Sequence, residues 1–259
     1  MTNPTTADYW SAEQYRGRHA FVYEASRDLV TDWLSPQPDE RILDLGCGTG
    51  ELTAQIAQAA GHVHGIDASA QMIAGAQAKH VRDNLSFEVQ DAHRLPYRSG
   101  FGAVFSNAAL HWMAPLGGVF SGVARSLIPG GRLALEMGGA GNVLVVRESV
   151  EQALSEAGLP ALKHPWMFPS PGELATLLEA AGFTVRRLHL FERPSVLVGA
   201  DGFRAWLEGF GSGWLAPLTP KQRSAVIRRA EELARPELWN GTDWVADYVR
   251  LRALALRGV

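Results

Sequence analysis

Short apolar runs alternate with helical segments between residues 41 and 137, and this alternation constrains the fold more than any other feature. Runs of strand length predict buried strands, and apolar residues at helical spacing predict helices between them. Strands that alternate with helices through short connections run parallel with right-handed crossovers. The sequence therefore predicts an α/β fold with a doubly wound, mostly parallel sheet. The predicted strands are 41–45, 62–66, 85–89, 103–106 and 132–137, and the predicted helices are 51–60, 70–80 and 116–127.

Charge and cysteine content disfavour several classes of protein. Lys and Arg total 24 against 27 Asp and Glu, a formal net charge of −3, so no basic surface for nucleic acid or membrane lipid is indicated. The single cysteine, Cys47, forms no internal disulfide or cysteine zinc cluster, and no metal site is predicted. The first residues do not resemble a secretory signal, and no apolar run reaches about 18 residues. These features predict a cytoplasmic protein with no nucleic-acid, membrane or obligate protein partner.

A glycine-rich turn, Asp44-Leu45-Gly46-Cys47-Gly48-Thr49-Gly50, lies between the first predicted strand and helix. Glycines let the backbone turn tightly and approach a ligand, and this turn lies at the sheet edge where ligands bind. The spacing is not that of a dinucleotide fingerprint, because Glu51 and Thr53 occupy the required third positions, and no lysine of a phosphate loop is present. Asp44 would repel a pyrophosphate, so the turn favours a ligand that carries positive charge.

Two further acids follow the next two predicted strands. Asp67 ends the second strand, and its two carboxylate oxygens can accept both hydroxyls of a ribose. The alternative is an N-cap for the following helix, a task that Ser69 can perform instead. Asp91 follows the third strand and can accept an adenine amino group, although a simple turn residue is the alternative. Apolar contacts to the adenine ring are expected from Ala68 and Met72, although a helical methionine is usually core filler.

With these residues the chain resembles the class I S-adenosylmethionine-dependent methyltransferases, whose acid-x-Gly-x-Gly-x-Gly signature corresponds to residues 44–50. The resemblance implies S-adenosylmethionine as the cofactor and a Rossmann-like, seven-stranded sheet with an antiparallel last strand, expected within 244–256. It also implies that the glycine turn contacts the methionine part of the cofactor. Gly102 departs from the family, in which an aspartate commonly follows the phenylalanine. The residues then expected to bind the cofactor are Asp44, Gly46, Cys47, Gly48, Gly50, Asp67, Ala68, Met72, Asp91, Ala92, Asn107 and Tyr15.

The resemblance also suggests how the rest of the chain is organised. A helical pattern over 9–35 predicts an N-terminal lid over residues 1–38, followed by a cofactor-binding core over 39–138. The remainder, 139–259, is expected to carry strands six and seven, with a helical cap inserted at about 139–170 and 199–240. Within it, the predicted elements are helices at 171–181, 201–209 and 219–234 and strands at 184–190 and 244–256.

The segment after the fourth predicted strand is the expected position of the methyl acceptor. Asn107, His111 and Trp112 are therefore the candidate acceptor-side residues, and His111 is the candidate general base. A hydrogen-bonded histidine and a tryptophan in the wall or core are the competing interpretations. Arginines of the predicted cap are candidate carboxylate partners, with ion pairs on a solvated helix as the alternative.

A narrower resemblance, on the Asn-Ala-x-Leu-His-Trp segment, is to trans-aconitate methyltransferase-like enzymes, which esterify a small carboxylate. The same segment resembles enzymes that methylate a malonyl group on a carrier protein. A carboxylate acceptor needs no general base, whereas a carbon acceptor would need one, and His111 would then matter. Two alternative functions of other classes remain. One is a nicotinamide-dependent oxidoreductase, whose glycine fingerprint is missing from this sequence, and the other is a non-catalytic cofactor-binding protein. The sequence thus predicts methyl transfer to a small-molecule acceptor.

Overall fold

The computed structural model describes residues 27–258, and most helices and strands lie close to their predicted positions. The strand predicted at 244–256 is instead divided into two strands that belong to different sheets. Short helical turns occur at Leu29–Leu34, Ala92–Arg94 and Leu110–Trp112. The strands are β1 (Arg41–Leu45), β2 (His62–Asp67), β3 (Leu85–Val89), β4 (Phe101–Asn107), β5 (Leu127–Gly138), β6 (Phe183–Glu192), β7 (Ser195–Leu197), β8 (Trp244–Ala246) and β9 (Val249–Arg257). The α-helices are α1 (Glu51–Ile56), α2 (Ala70–Lys79), α3 (Leu116–Ser126), α4 (Leu144–Glu156), α5 (Pro171–Ala180), α6 (Gly202–Gly209) and α7 (Pro220–Leu238).

Seven strands form one sheet in the order β3-β2-β1-β4-β5-β9-β6. The pairs β1–β2, β1–β4, β2–β3 and β4–β5 are parallel. The last strand, β9, runs antiparallel to β6, because the N–H of Gly258 at its end donates to Gly182 before β6, while the N–H of Arg193 after β6 donates to Tyr248 before β9. The predicted doubly wound, seven-stranded, mostly parallel sheet is confirmed.

The order of the strands creates a ligand-binding position. The chain moves outward from β1 through β2 to β3, and then returns to β4 on the other side of β1. The carboxyl ends of β1, β2 and β4 therefore share one edge at the point where the winding reverses, which is where open α/β sheets bind ligands. We call this edge the cofactor rim. Asp44 lies within it, opposite Gly65 of β2 and Phe105 of β4.

Both faces of β1 are buried, which explains its continuous apolar run. Leu43 and Leu45 pack into a cluster with α3 and α5, whereas Ile42 packs on the other face with α1 and the turn at Leu29–Leu34. Successive side chains of a strand point to opposite faces, so a strand covered on both sides has no polar alternation. This packing fixes the direction of β1 and hence the position of the turn that follows it.

The described residues fall into two compact units. The first contains the described residues up to Gly139, together with Met167–Leu190 and the residues from Leu251 onward, and it includes the cofactor rim. The second contains Ala140–Trp166 and Phe191–Arg250, with helices α4, α6 and α7 and a two-stranded antiparallel sheet of β7 and β8. Among residues 27–258, no helix has the length and apolarity needed to cross a bilayer.

Some elements differ from the sequence-based prediction. Helix α4 lies within the helical cap expected at about 139–170, for which no individual helix was predicted. In its first turn the Val145 N–H donates to the carboxylate of Asp247 at 2.8 Å, although the two residues are 102 positions apart in the sequence. β5 begins at Leu127 rather than at 132, because a register shift between Phe101 and Ala103 admits extra residues opposite β4. Most of the predicted helix at 9–35 lies outside the described residues.

Candidate active site

The glycine-rich turn is held against β2 by its own amide groups. The N–H groups of Gly46 and Cys47 both donate to the carbonyl of Ile66, at 2.8 and 2.9 Å. The N–H of Gly48 donates to Oδ2 of Asp67 at 3.1 Å. In phosphate-binding loops, such N–H groups are directed at the anion. Because this turn uses three successive amides internally, it is unsuited to cradle a phosphate.

Two glycines of the turn are required for different reasons. Gly46 has φ +78°, and an added Cβ would lie 2.3 Å from Cβ of Ala109, so no side chain fits there. Gly48 has φ +55°, and no other group lies within 4 Å of the position that its Cβ would occupy. Its backbone thus borders open space, as a ligand that lies against a bare peptide requires.

Asp44 is the most unusual group of the cofactor rim. It is 2% exposed and accepts a hydrogen bond from Oγ1 of Thr53 at 2.7 Å. Burial, and secondarily the charge of Asp67, raises the pKa of Asp44 to about 7, against the opposing effect of the Thr53 hydrogen bond. None of the ion pairs among residues 27–258 involves Asp44. A buried carboxylate without a cation is costly, which suits a site that receives a cationic ligand.

Asp67 bridges the turn and the start of α2. Its Oδ1 accepts the Ser69 N–H at 2.9 Å, and its Oδ2 accepts the Gly48 N–H. Ser69 supplies the helix cap, as the sequence allowed, by accepting the Met72 N–H at 3.3 Å. Asp67 is therefore not the cap, but it is not free of backbone bonds either. Burial raises its pKa although its backbone hydrogen bonds oppose this, and each carboxylate oxygen retains capacity to accept a ribose hydroxyl.

The residues expected near adenine have different environments. The side chain of Asp91 is 50% exposed, and its Oδ1 accepts the backbone N–H of His93 at 2.9 Å, so it caps a short helical turn. Ala92 and Met72 are 6% and 4% exposed and lie in the core, whereas Ala68 is exposed beside Asp67. The geometry of Met72 and Ala92 is that of core filling, which was the competing interpretation for methionine. Their contact with the cofactor stays a prediction.

The end of β4 brings the acceptor-side candidates to the cofactor rim. The buried Oδ1 of Asn107 has no hydrogen-bond partner in the described part of the chain, an arrangement that a ligand N–H would satisfy. Ala108 follows with φ +56°, which turns the chain into the Leu110–Trp112 helical turn. Trp112 is half-buried, and its ring lies 5.7 Å from that of His111.

His111 is held by contacts that the sequence did not reveal. Its ring is 7% exposed, and Nδ1 accepts the backbone N–H of Gly138 at 3.2 Å. The ring of Phe168 lies 5.8 Å away, and the Met167 N–H donates to the His111 carbonyl at 2.9 Å. An Nδ1 that accepts an amide hydrogen carries no proton, so the neutral ring has its proton on Nε2.

The remaining predictions have plain outcomes in the structure. Tyr15 lies outside the described residues. Gly102 lies at the opposite end of β4 from the cofactor rim, and a Cβ there would lie 3.2 Å from Oε1 of Glu40, which pairs with Arg132 at 2.5 Å. Its departure from the family pattern therefore does not touch the site. In the second unit, Arg229 pairs with Glu156 at 2.6 Å, as the ion-pair alternative predicted for the cap arginines.

The arrangement fits S-adenosylmethionine, which carries an ammonium, a sulfonium and a ribose. Among residues 27–258, no cation pairs with the buried carboxylate of Asp44 and no group bonds the buried Oδ1 of Asn107. Asp67 supplies oxygens for hydroxyl groups, and Gly48 leaves open space beside its backbone. Two residues of the site were not predicted from the sequence. Thr53 bonds Asp44, but in the sequence it served only to exclude a dinucleotide fingerprint, and no sequence pattern indicated Gly138, which bonds His111.

Comparison with known proteins agrees with this geometry. A methyltransferase domain family model matches residues 43–135. An uncharacterised methyltransferase of Schizosaccharomyces pombe, C70.08c, is 34% identical over 96% of this chain and 98% of its own length. Trans-aconitate 2-methyltransferase of Deinococcus radiodurans is 31% identical over 77% of this chain and 80% of its own length. The crystal structure of YcgJ from Bacillus subtilis superposes with a TM-score of 0.67 at 19% identity, covering 92% of this chain and 99% of that chain.

The relationship to C70.08c spans nearly the whole of both chains, and the solved structure shares the seven-stranded fold. The matched domain contains the glycine turn, Asp44, Asp67, Asp91 and the end of β4, so the family match and the cofactor rim coincide. The chain belongs to the class I S-adenosylmethionine-dependent methyltransferases and is an enzyme.

Proposed function

We propose that this methyltransferase esterifies a small carboxylate, transferring the methyl group to a carboxylate oxygen. The observation that carries the proposal is the orientation of His111, whose Nδ1 accepts the Gly138 N–H at 3.2 Å. The neutral ring then presents a protonated Nε2, which can donate a hydrogen bond but cannot accept a proton. A carboxylate is already nucleophilic at neutral pH and needs no base, whereas a carbon, amine or hydroxyl acceptor must lose a proton.

The similarity to trans-aconitate 2-methyltransferase supports the same acceptor class. That protein's name specifies a polycarboxylate, and the relationship spans 77% of the present chain. Carrier-protein-bound malonyl groups, carbon acceptors and a binding role without turnover are the alternatives that the test below distinguishes.

The residues of the chain have distinct roles in this proposal. When bound, S-adenosylmethionine supplies an electrophilic methyl group on a positively charged sulfur. Asp44 and Asn107 accept from the amino-acid part of the cofactor, Asp67 from its ribose and Asp91 from its adenine, and Tyr15 contacts its carboxylate. His111 and Trp112 border the acceptor, and the Nε2–H of His111 orients an acceptor oxygen. Alignment of the two reactants and exclusion of water then lower the barrier without a covalent intermediate.

Methyl-transfer assays with methyl-labelled cofactor test the acceptor class. The panel contains small mono-, di- and tricarboxylates including trans-aconitate, a malonyl carrier protein, and phenol and amine acceptors. A carboxylate ester releases its label as methanol in mild base, whereas carbon- and nitrogen-methyl products retain it. We expect base-labile product from a small carboxylate. Base-stable product alone, or cofactor binding without product from any acceptor, contradicts the proposal.

The substitution His111→Gln tests the role assigned to the ring. Gln retains an N–H donor, so we expect kcat to fall by less than about tenfold, whereas loss of a general base costs about 100-fold or more. His62→Gln is the matched control, because His62 begins β2 at the end opposite Asp67. A loss of about 100-fold or more in kcat for His111→Gln alone, with retained cofactor affinity, would identify His111 as a base and favour an acceptor that must be deprotonated.

A further inference from the structure

A buried hydroxyl contacts the acid that opens the glycine turn. Oγ1 of Thr53, in the first turn of α1, lies 2.7 Å from Oδ2 of Asp44. Thr53 is 0% exposed and Asp44 is 2% exposed, so water does not compete for the bond. A carboxylate can only accept hydrogen bonds, so the Thr53 hydroxyl must donate, and it stabilises the charged form of Asp44.

We propose that Thr53 is a positioning residue for cofactor binding, whose hydroxyl holds the Asp44 carboxylate in one orientation and in its charged form. The inference rests on the role assigned to Asp44 in the proposed function. It adds a residue that touches neither cofactor nor acceptor but controls the group that does. The hydroxyl is needed for this role because burial and the charge of Asp67 both disfavour ionisation of Asp44, whereas a hydrogen-bond donor favours it.

The groups around Asp44 act in opposite directions on its charge. On the neighbouring strands, its partners Gly65 and Phe105 do not titrate. Asp67, at the end of β2, disfavours a second negative charge. The Cys47 thiol in the same turn is neutral, because burial and the two acids raise its pKa. With burial, these effects bring the pKa of Asp44 to about 7, and Thr53 opposes them.

The neighbouring acid of α1 does not share this environment. Glu51 accepts hydrogen bonds from Lys79 and from the hydroxyl of Thr49, both at 2.6 Å. Despite partial burial, these bonds lower the pKa of Glu51. Asp44 is therefore the group of the turn whose charge changes near neutral pH.

This arrangement links cofactor binding to proton release. The cation binds the ionised form of Asp44. Near and below pH 7, binding therefore releases a proton from those molecules in which Asp44 is protonated. If only the ionised form binds, affinity is about tenfold weaker at about pH 6 than at about pH 8. Removal of the Thr53 hydroxyl raises the pKa of Asp44 and moves this transition upward.

Isothermal titration of S-adenosylmethionine and S-adenosylhomocysteine from about pH 6 to about pH 9, in two buffers of different ionisation enthalpy, measures affinity and proton release. For Thr53→Val, we expect the midpoint to rise by about one pH unit, so that affinity falls about fivefold near pH 7 and is unchanged near pH 9. Thr53→Ser keeps the donor and should stay within about twofold of the wild type. Thr176→Val, at an exposed helical threonine that bonds within its own helix, is the matched control.

The outcomes separate this inference from the function on which it rests. Wild-type protein that binds neither ligand at any pH refutes the assigned cofactor site. Normal wild-type binding with a Thr53→Val midpoint that does not move, or a uniform loss across all pH values, overturns the role of Thr53 alone. If Thr53→Val does not fold, Thr53→Ser and Asp44→Asn decide. Asp44→Asn should abolish the pH dependence, and a transition that persists in it, or a midpoint shift in Thr53→Ser, contradicts the proposal.

Discussion

Two buried acids of the same sheet have opposite environments. Asp44 of β1 and Glu136 of β5 are each 2% exposed. Glu136 accepts from Nε of Arg252 at 2.5 Å, and the same guanidinium also pairs with Asp28. Asp44 is bonded to a hydroxyl, and none of the ion pairs among residues 27–258 includes it. The two acids are thus equally buried, but within the described part of the chain a cation pairs with Glu136 and none pairs with Asp44.

This difference separates a structural acid from a ligand-binding acid. A buried ion pair with good geometry compensates its own charges, so Glu136 joins β5 to β9 without any ligand. A buried carboxylate that lacks a cation keeps an unfavourable energy until a positively charged ligand arrives. Perturbed acids at the edge of a sheet are therefore marks of function, whereas paired acids within it are marks of structure.

Removal of the cation in Arg252→Met is expected to give the largest effect. The Met side chain fills much of the volume but removes the cation that contacts the buried Glu136 carboxylate at 2.5 Å, so the free energy of unfolding should fall by about 3–5 kcal/mol. Urea denaturation measures this loss, with Arg82→Met at an exposed arginine as the control. A loss below about 1 kcal/mol would mean that Arg252 does not compensate Glu136, and the contrast with Asp44 would disappear.

Asp67→Ala should give the next largest effect, on binding. The variant loses acceptors for the ribose and also releases the Gly48 N–H that Asp67 holds, so affinity for S-adenosylmethionine should weaken by about 2–4 kcal/mol. Calorimetry measures the loss, and Asp83→Ala at an exposed acid is the control. Near-native affinity would remove Asp67 from the site and restrict the ligand-binding acids of the cofactor rim to Asp44.

The sequence predicted the cofactor rim better than the acceptor side, for a physical reason. Parallel strands bring their carboxyl ends to one edge, so Asp44 and Asp67 could be assigned to the same edge from strand order alone. The orientation of His111 depends on Gly138 and Phe168, which follow it by 27 and 57 positions. Such contacts between distant segments leave no periodic pattern, and the Thr53–Asp44 bond likewise depends on how α1 packs against β1.

Asp44→Asn should give the smallest change in free energy. It should raise the free energy of unfolding, whereas Arg252→Met should lower it. Burial raises the pKa of Asp44 to about 7, whereas the unfolded chain keeps its ordinary value near 3.8. Between these values the folded protein holds one more proton than the unfolded protein, so the contribution of Asp44 to stability falls as pH rises. Asn cannot ionise, and the ligand-free variant should exceed the wild type by about 1–3 kcal/mol at about pH 8.

The pH dependence of this gain in stability tests the difference between Asp44 and Glu136. Stability of the variant and the wild type should be similar near pH 4 and should diverge as pH rises toward 7, because the unfolded wild type releases the Asp44 proton in this range while the folded wild type retains it. Thermal denaturation without ligand measures the gap, and saturating S-adenosylmethionine should narrow it by stabilising the wild type more than the variant, which binds the cation less tightly. Glu136→Gln is the matched control, since it removes an acid that already has a cation and should destabilise the protein. Equal destabilisation by both substitutions would show that Asp44 is a structural acid like Glu136, and the cofactor rim would lose the negative charge on which cation binding depends.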